Sequence, residues 1–426
     1  MVVYLAYELF CIYRSGFLCE YNTMANDAFN RIVPVPALFN NGNLLEFSIE
    51  PDKRSLVLGK SYLQFFVELP EDFVPDNNFG QKMFEYLDLN IQYEDCSFKC
   101  SKNDNDYTSH IYDKLFRNPG YLRKLKFEGH YDDYNTDSSE LKENAELVKN
   151  RRGKLVTKSV VDDHGQTTQA NYYLYQIIVP INHGLCSDNQ VLPSGVRIRL
   201  TFHRAEAKKA LVDISDQIIK YPTNTIELME PILNVCWTFS PTMGPLTVPD
   251  GGLSVPFEAT HVRHRVLDNG LAEQSIQVQQ GPLPKSIVFF LVEPYRFEND
   301  LKYSSSNFKM HDLKEFSLLL DNEVMQHYPL KVENHGGTRF YHEFYRRWLT
   351  MIGQYGDSNE DILDEDTFIS ENFMIVETFQ DFEHKEGILT AKLKFFEPLS
   401  DKLYLCWMPV TQKELKFDRN LSVHVV

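Results

Sequence analysis

The chain has 426 residues, 43% of them hydrophobic, and 43 Lys and Arg against 60 Asp and Glu leave a formal net charge of −17. That apolar share excludes a disordered chain, and the acidity argues against a protein whose main work is gripping phosphate backbones, which takes Lys and Arg. Aromatic residues make up 13%, a composition that leans towards strands, and the length allows about three ordinary domains or two β-sandwiches of ~200 residues each.

At the N-terminus, Val2 to Tyr13 is apolar apart from Glu8 but has no basic leader and is too short to span ~30 Å of hydrocarbon. No later stretch reaches about 18 uninterrupted apolar residues, so no membrane span is expected. Met24-Ala25-Asn26-Asp27 reads as a more ordinary start, and residues 1–35 are expected to be a leader or arm. Period-two alternation then dominates. Leu87, Leu89, Ile91 and Tyr93 alternate with Asp88, Asn90 and Gln92; Val196, Ile198, Leu200 and Phe202 with Arg197, Arg199, Thr201 and His203; Leu389, Ala391, Leu393 and Phe395 with Thr390, Lys392 and Lys394. Each pattern predicts a strand with one buried and one wet face. Further strands are expected at 44–50, 61–69, 172–179, 226–239, 286–292, 315–321 and 403–408.

Helices are few. Residues 108–117 read as a short helix stopped by Asn118-Pro119-Gly120, and 139–149 as a second, with Leu141, Ala145 and Val148 on one side and Ser138 or Ser139 as cap. A third is expected from Thr338, as N-cap, to Ile352, stopped by Gly353, with Phe340, Tyr341, Phe344, Tyr345, Trp348 and Leu349 forming one apolar stripe. Such a stripe reads as core. Long connections are expected at 118–170, 240–284 and 353–370, and loops of that length tend to be functional. A boundary near 213–222 would divide the chain into a first unit at 36–213 and a second at 219–426, each with the same strand-rich plan.

No chemistry-bearing motif stands out. The seven cysteines (11, 19, 96, 100, 186, 236, 406) are odd in number and thinly spread, which suits reduced thiols better than a disulfide framework. Cys96 and Cys100 have no second pair at zinc spacing. His261 and His264 flank Val262-Arg263, which puts them on one side of neither a strand nor a clean helix, and His327, His335 and His342 lack a carboxylate at a motif-like offset. Asn334-His335-Gly336-Gly337 can hold an anion or simply permit a turn. Acids gather at Asp357, Glu360, Asp361, Asp364, Glu365, Asp366 and Glu371, a solvated loop rather than an EF-hand. Lys149, Arg151, Arg152, Lys154 and Lys158 form a basic counterpart that reads as wet surface or as a partner for an acidic loop on a neighbouring subunit. No catalytic, cofactor-binding or metal-binding residue is assigned, and no cofactor is expected. Paired carboxylates for glycoside hydrolysis would leave no local trace, so a jelly-roll carbohydrate-binding module or glycoside-acting enzyme stays open as the alternative.

In order along the chain stand Pro180-Ile181-Asn182-His183-Gly184, Leu192-Pro193-Ser194-Gly195-Val196-Arg197-Ile198, the run from Gly281-Pro282-Leu283-Pro284-Lys285 to Val292, Asn307-Phe308, and Gly387 to Phe395 followed by Pro398-Leu399 and Glu414 to Arg419. In this order they resemble the double jelly-roll major capsid proteins of Maverick/Polinton-type elements and related eukaryotic DNA viruses, over about residues 36 to 426. Ser304-Ser305-Ser306 departs from that pattern where an Asn-Pro-Phe-type turn belongs. The resemblance implies an all-β chain of two tandem eight-stranded jelly-roll sandwiches with a few short inserted helices. It further implies homotrimers of pseudo-hexameric outline, neighbouring capsomers, penton and minor capsid proteins as partners, an icosahedral DNA-containing shell, and a virion location after synthesis in host cytoplasm or nucleus. No catalytic residues carry over. Exposed aromatics and the connections 118–170 and 240–284 are the expected contact surfaces and outer tower. A degraded element copy is a further reading, against which stands the intact alternation through Leu421 and Val423.

Overall fold

A computed structural model describes residues 29–425 except 94–95, 100–102, 105–106, 112–128, 130–136, 162–166, 188–189, 216–223, 240–245, 249–251, 299, 356–363, 380–385 and 418–422. The three alternating patterns are strands: Phe84–Tyr93, Val196–Arg204 and Glu386–Phe395. Their apolar residues, Leu87, Leu89, Ile91, Ile198, Leu200, Leu389 and Ala391 among them, are fully buried, while Arg197, Arg199 and Asn90 point outward. Alternation decides the face because successive side chains of a strand leave opposite sides.

Two sheets enclose the first core. One runs Phe29–Pro36, Met229–Phe239, Tyr62–Pro70, Thr167–Pro180, Lys154–Val161; the other runs Phe39–Asn40, Leu44–Ile49, Val196–Arg204, Phe84–Tyr93, Cys96–Lys99. Counted along the chain, the eight main strands lie in the orders 1-8-3-6 and 2-7-4-5. The second core repeats this order. Its first sheet runs Leu253–Thr260, Leu403–Phe417, Ser286–Val292, Ile375–Thr378, and its second runs Glu273–Pro282, Glu386–Phe395, Leu313–Leu320, Glu323–Val324. Two sheets with these two orders are a jelly roll, here present twice. The fold class expected from the sequence is therefore the one observed.

Several local expectations change. Strand Met229–Phe239 falls beyond the expected unit boundary, yet it pairs with Phe29–Pro36 and Tyr62–Pro70 and is the eighth strand of the first roll. The stretch 240–284, expected as a long connection, holds three strands: Leu253–Thr260, Arg263–Leu267 and Glu273–Pro282. Leu253, Val255, Phe257 and Ala259 do alternate with Ser254, Pro256, Glu258 and Thr260, a signal interrupted by Pro256, whereas frequent polar residues hid the period of the other two. The third helix begins at His342, not Thr338, and runs through Gly353 to Tyr355. Thr338–Phe340 instead pairs with Glu333–His335 across Gly336 and Gly337, both at positive φ, the two-residue hairpin turn that glycines permit. Phe344 and Trp348 are buried and Tyr341, Tyr345 and Leu349 pack beside them, so this part of the stripe is core, whereas Phe340 belongs to the hairpin and is 39% exposed. The expected helix 139–149 is two, Ser138–Glu143 and Ala145–Arg151, broken at Asn144, whose side chain caps the second; Asp137, not a serine, takes the first N-cap position. Residues 107–111 are helical, and the rest of the expected helix 108–117 lies outside the described residues.

Candidate assembly surfaces and the junction between the rolls

Apolar segments cross between the rolls in both directions. Tyr107 and Ile111, which follow the fifth strand of the first roll, are buried in the second core, where the Tyr107 ring meets Phe290 at 5.5 Å and Phe308 at 5.8 Å. In return Val255, Phe257, Leu415 and Phe417 belong to the first core, with Phe417 edge-on to Tyr93 at 5.7 Å. Beside them the short helix Gly184–Ser187 lies against Leu253–Thr260 so closely that a Cβ on Gly184 would stand 1.8 Å from the Glu258 carbonyl oxygen. Only glycine fits there.

A buried polar network completes the junction. Arg296, 1% exposed, donates from Nη1 and Nη2 to the two Asp137 oxygens at 2.7 and 2.6 Å. Its Nη1 also reaches the Ser304 carbonyl at 2.8 Å, and Glu293 lies 3.1 Å from Nε. Burial works against the guanidinium charge, and the Asp137 carboxylate more than restores it, so the proton is held above the ordinary arginine value. Asp76, 2% exposed, accepts from Lys82 Nζ at 2.5 Å and from Ser304 Oγ at 2.8 Å. Burial alone would raise its pKa; the Lys82 charge outweighs it and holds the carboxyl below the ordinary range. Lys302 Nζ meets Asp213 Oδ2 at 2.7 Å, and Ser138 Oγ donates to the Asp213 carbonyl at 2.5 Å. Charged groups removed from water persist when paired and hydrogen-bonded, so these partners fix where the 293–304 segment sits against the first roll.

The sequence did not single out Asp76, Asp137, Asp213 or Arg296. Lone charges in irregular segments have no period to betray them. The one available signal was Ser304-Ser305-Ser306-Asn307-Phe308, five residues buried to 7% exposure or less, which stand where the resemblance had its departure. Arg151, expected in a wet basic loop, is 1% exposed and donates to the Pro75 carbonyl at 2.8 Å. Arg152 lies over the Tyr173 ring and donates to its hydroxyl, and Lys158 pairs with Glu68. Of the acidic cluster, Asp364 caps the helix Glu365–Glu371 through the Thr367 amide; Asp357, Glu360 and Asp361 lie outside the described residues. His264 packs on Phe297 and Tyr404, and no group of three His, Cys, Asp or Glu among the described residues is placed to hold a metal ion.

A groove of about 340 Å³ crosses the outer face of the first roll, lined by Ser48, Glu50, Asn90, Gln92, Arg197 and Arg199 with Leu38 as its apolar wall. No aromatic ring lines it as a sugar platform. Its one carboxylate, Glu50, is held below the ordinary value by Ser48 and Arg197, which suits a fixed anion and not a general acid. Large apolar side chains are exposed elsewhere: Phe39, Leu155, Val324, Leu271 and Ile388. No described helix is long and apolar enough to cross a membrane.

No protein-family model and no curated protein sequence matches the chain. Solved structures do. A cryo-EM structure of the Sputnik virophage aligns with 95% of this chain and 90% of that one at TM-score 0.63 and 10% identity. The PBCV-1 virus capsid aligns over 96% and 99% at TM-score 0.56 and 10% identity. The chain has the double jelly-roll fold of viral major capsid proteins. The mavirus major capsid protein shares it over 95% of this chain and 91% of its own, at TM-score 0.53 and 8% identity. At that identity the double jelly roll is carried by strand order and core burial, not by retained residues.

Proposed function

We propose that this double jelly-roll chain is the structural subunit of an icosahedral viral shell, assembling as trimers of pseudo-hexagonal outline that tile with neighbouring capsomers, penton and minor capsid proteins around a DNA genome. The observation that carries the reading is the pair of rolls in identical strand order, locked by crossing apolar segments and buried ion pairs. Two similar rolls in each chain would give a ring of three chains six similar corners, the outline a tiling capsomer needs. A glycan-binding or glycoside-acting role finds no support in the groove, which has neither an aromatic platform nor a second carboxylate. The net charge of −17 keeps free subunits apart until salt or pairing screens it and leaves genome condensation to a basic partner. The two units are then 29–239 and 253–425, divided after the eighth strand of the first roll, and the product belongs in the virion.

Expression of the chain and light scattering after size exclusion test this. A species of three chains, forming closed particles by electron microscopy on raising concentration or salt, is the expected result. A folded protein that stays monomeric under all these conditions overturns the reading.

A further inference from the structure

The short helix Gly184–Ser187 opens on a histidine cap. The Cys186 amide donates to the His183 carbonyl at 2.7 Å, the first bond of the turn, and the Leu185 amide donates to His183 Nδ1 at 3.2 Å. These two bonds mark an N-cap residue, whose side chain accepts from the second or third amide of the helix. Ser, Thr, Asn and Asp ordinarily fill that position, and none of them changes charge near neutral pH. Histidine does, and its ring accepts the Leu185 amide only while Nδ1 carries no proton. Once protonated, the ring is a donor at both nitrogens, and two N–H groups face each other.

His183 is 4% exposed, so water does not readily replace the lost bond. Its ring stacks on that of Phe257, 6.2 Å away, which stands on Leu253–Thr260, the first strand of the second roll. The next residue, Gly184, is the one with no room for a Cβ against the Glu258 carbonyl, so a shift at the start of the helix is felt by that strand. Behind the cap, Asn182 reaches Thr108 at 3.5 Å, in the segment that enters the second core. The ionisable groups on the described elements packed here are Cys186 in the helix, Glu258 on the strand, Lys285, which holds the Glu258 carboxylate at 2.6 Å, Lys60 on the single turn Leu58–Lys60, and His110 near Thr108.

We propose that His183 is an acid-sensitive latch between the rolls: neutral, it caps Gly184–Ser187 and seats it against Leu253–Thr260; protonated, it gives up the cap and loosens that seat. The unfolded chain takes this proton below pH ~6.5, whereas the folded chain takes it only at the expense of the Leu185 bond, so the contribution to stability is complete above that pH and is lost as pH falls below it. The latch belongs to the single chain and stands whether or not the shell reading does.

Urea unfolding of the full chain and of His183→Asn tests it, since the Asn side-chain oxygen takes the place of Nδ1 as acceptor and does not titrate. From about pH 7.5 to about pH 5.5 the wild-type folding constant is expected to fall about tenfold further than that of the variant. The other histidines titrate in both chains and cancel in the difference. Hydrogen exchange at 184–187 and at 253–260 should be faster in the wild type than in the variant at about pH 5.5, and alike at about pH 7.5. Equal pH dependence in the two chains overturns the titrating cap, and a full difference without faster exchange at 253–260 overturns the link to the second roll. If His183→Asn does not fold, His183→Ala decides: it lacks the acceptor at every pH, so its deficit against wild type should shrink towards low pH, and a constant deficit overturns the proposal.

Discussion

At the junction Asp76, Lys82 and Arg296 are 1–2% exposed, and Asp76 and Arg296 each reach a partner more than 150 residues away in the chain. On the outer face of the first roll Arg197 and Glu50 make an ion pair of similar length, 2.7 Å, with side chains 47% and 63% exposed. The two regions use the same chemistry to different ends. Exposed pairs compete with water and salt and contribute ~0–1 kcal/mol. Buried pairs add little over an apolar replacement, but removing one partner strands a charge in a medium that cannot solvate it. Burial therefore turns an ion pair from a weak fastener into a constraint on geometry, and the constraint lies where the two rolls meet.

The strongest way to break the contrast is Arg296→Met, which leaves Asp137 and Glu293 without their cation. We expect a loss of about 3–5 kcal/mol by urea unfolding. Tyr107→Ala should cost nearly as much, about 3 kcal/mol, and because Tyr107 enters the other roll's core, fluorescence from Trp348 and Trp407 in that core should report the loss. Gly184→Ala forces backbone apart from the Glu258 carbonyl and should destabilise by about 1–3 kcal/mol. Next comes acid. Asp76 is held below its ordinary pKa, so its contribution is complete above the unfolded carboxyl range near pH ~4 and is lost as pH falls through the lower folded value. A shallower acid limb of the stability curve in Asp76→Asn than in the parent checks that sign. Smallest is Arg197→Ala on the outer face, expected within about 0.5 kcal/mol of wild type; a loss as large as that of Arg296→Met would abolish the distinction.

The residues also differ in how far their roles could be read in advance. Leu87, Leu89 and Ile91, or Val196, Ile198 and Leu200, announce their strands because a half-buried strand must alternate. Ser286–Val292 is buried at every position and reads as a continuous apolar run. Strand Glu273–Pro282 carries Gln274, Gln277, Gln279 and Gln280 among few apolar residues and passes for loop until its partner Glu386–Phe395 is seen. The aromatic stripe at 341–349 was legible as core, but its start was not, since the same Thr338 that could cap a helix instead closes a hairpin with His335 and leaves Phe340 exposed.

From the order of its residues alone this protein is all-β, acidic, rich in buried aromatics and made of two similar halves, because alternation and composition are local and each strand carries its own evidence. Only the tertiary structure decided that Met229–Phe239 completes the first roll, that Tyr107 and Phe417 are exchanged between cores, and that Arg151 and Arg296 are interior. Those outcomes depend on which distant segment arrives beside each residue. The free energy of a buried charge or a swapped ring belongs to the pair, and neither partner's local sequence contains it.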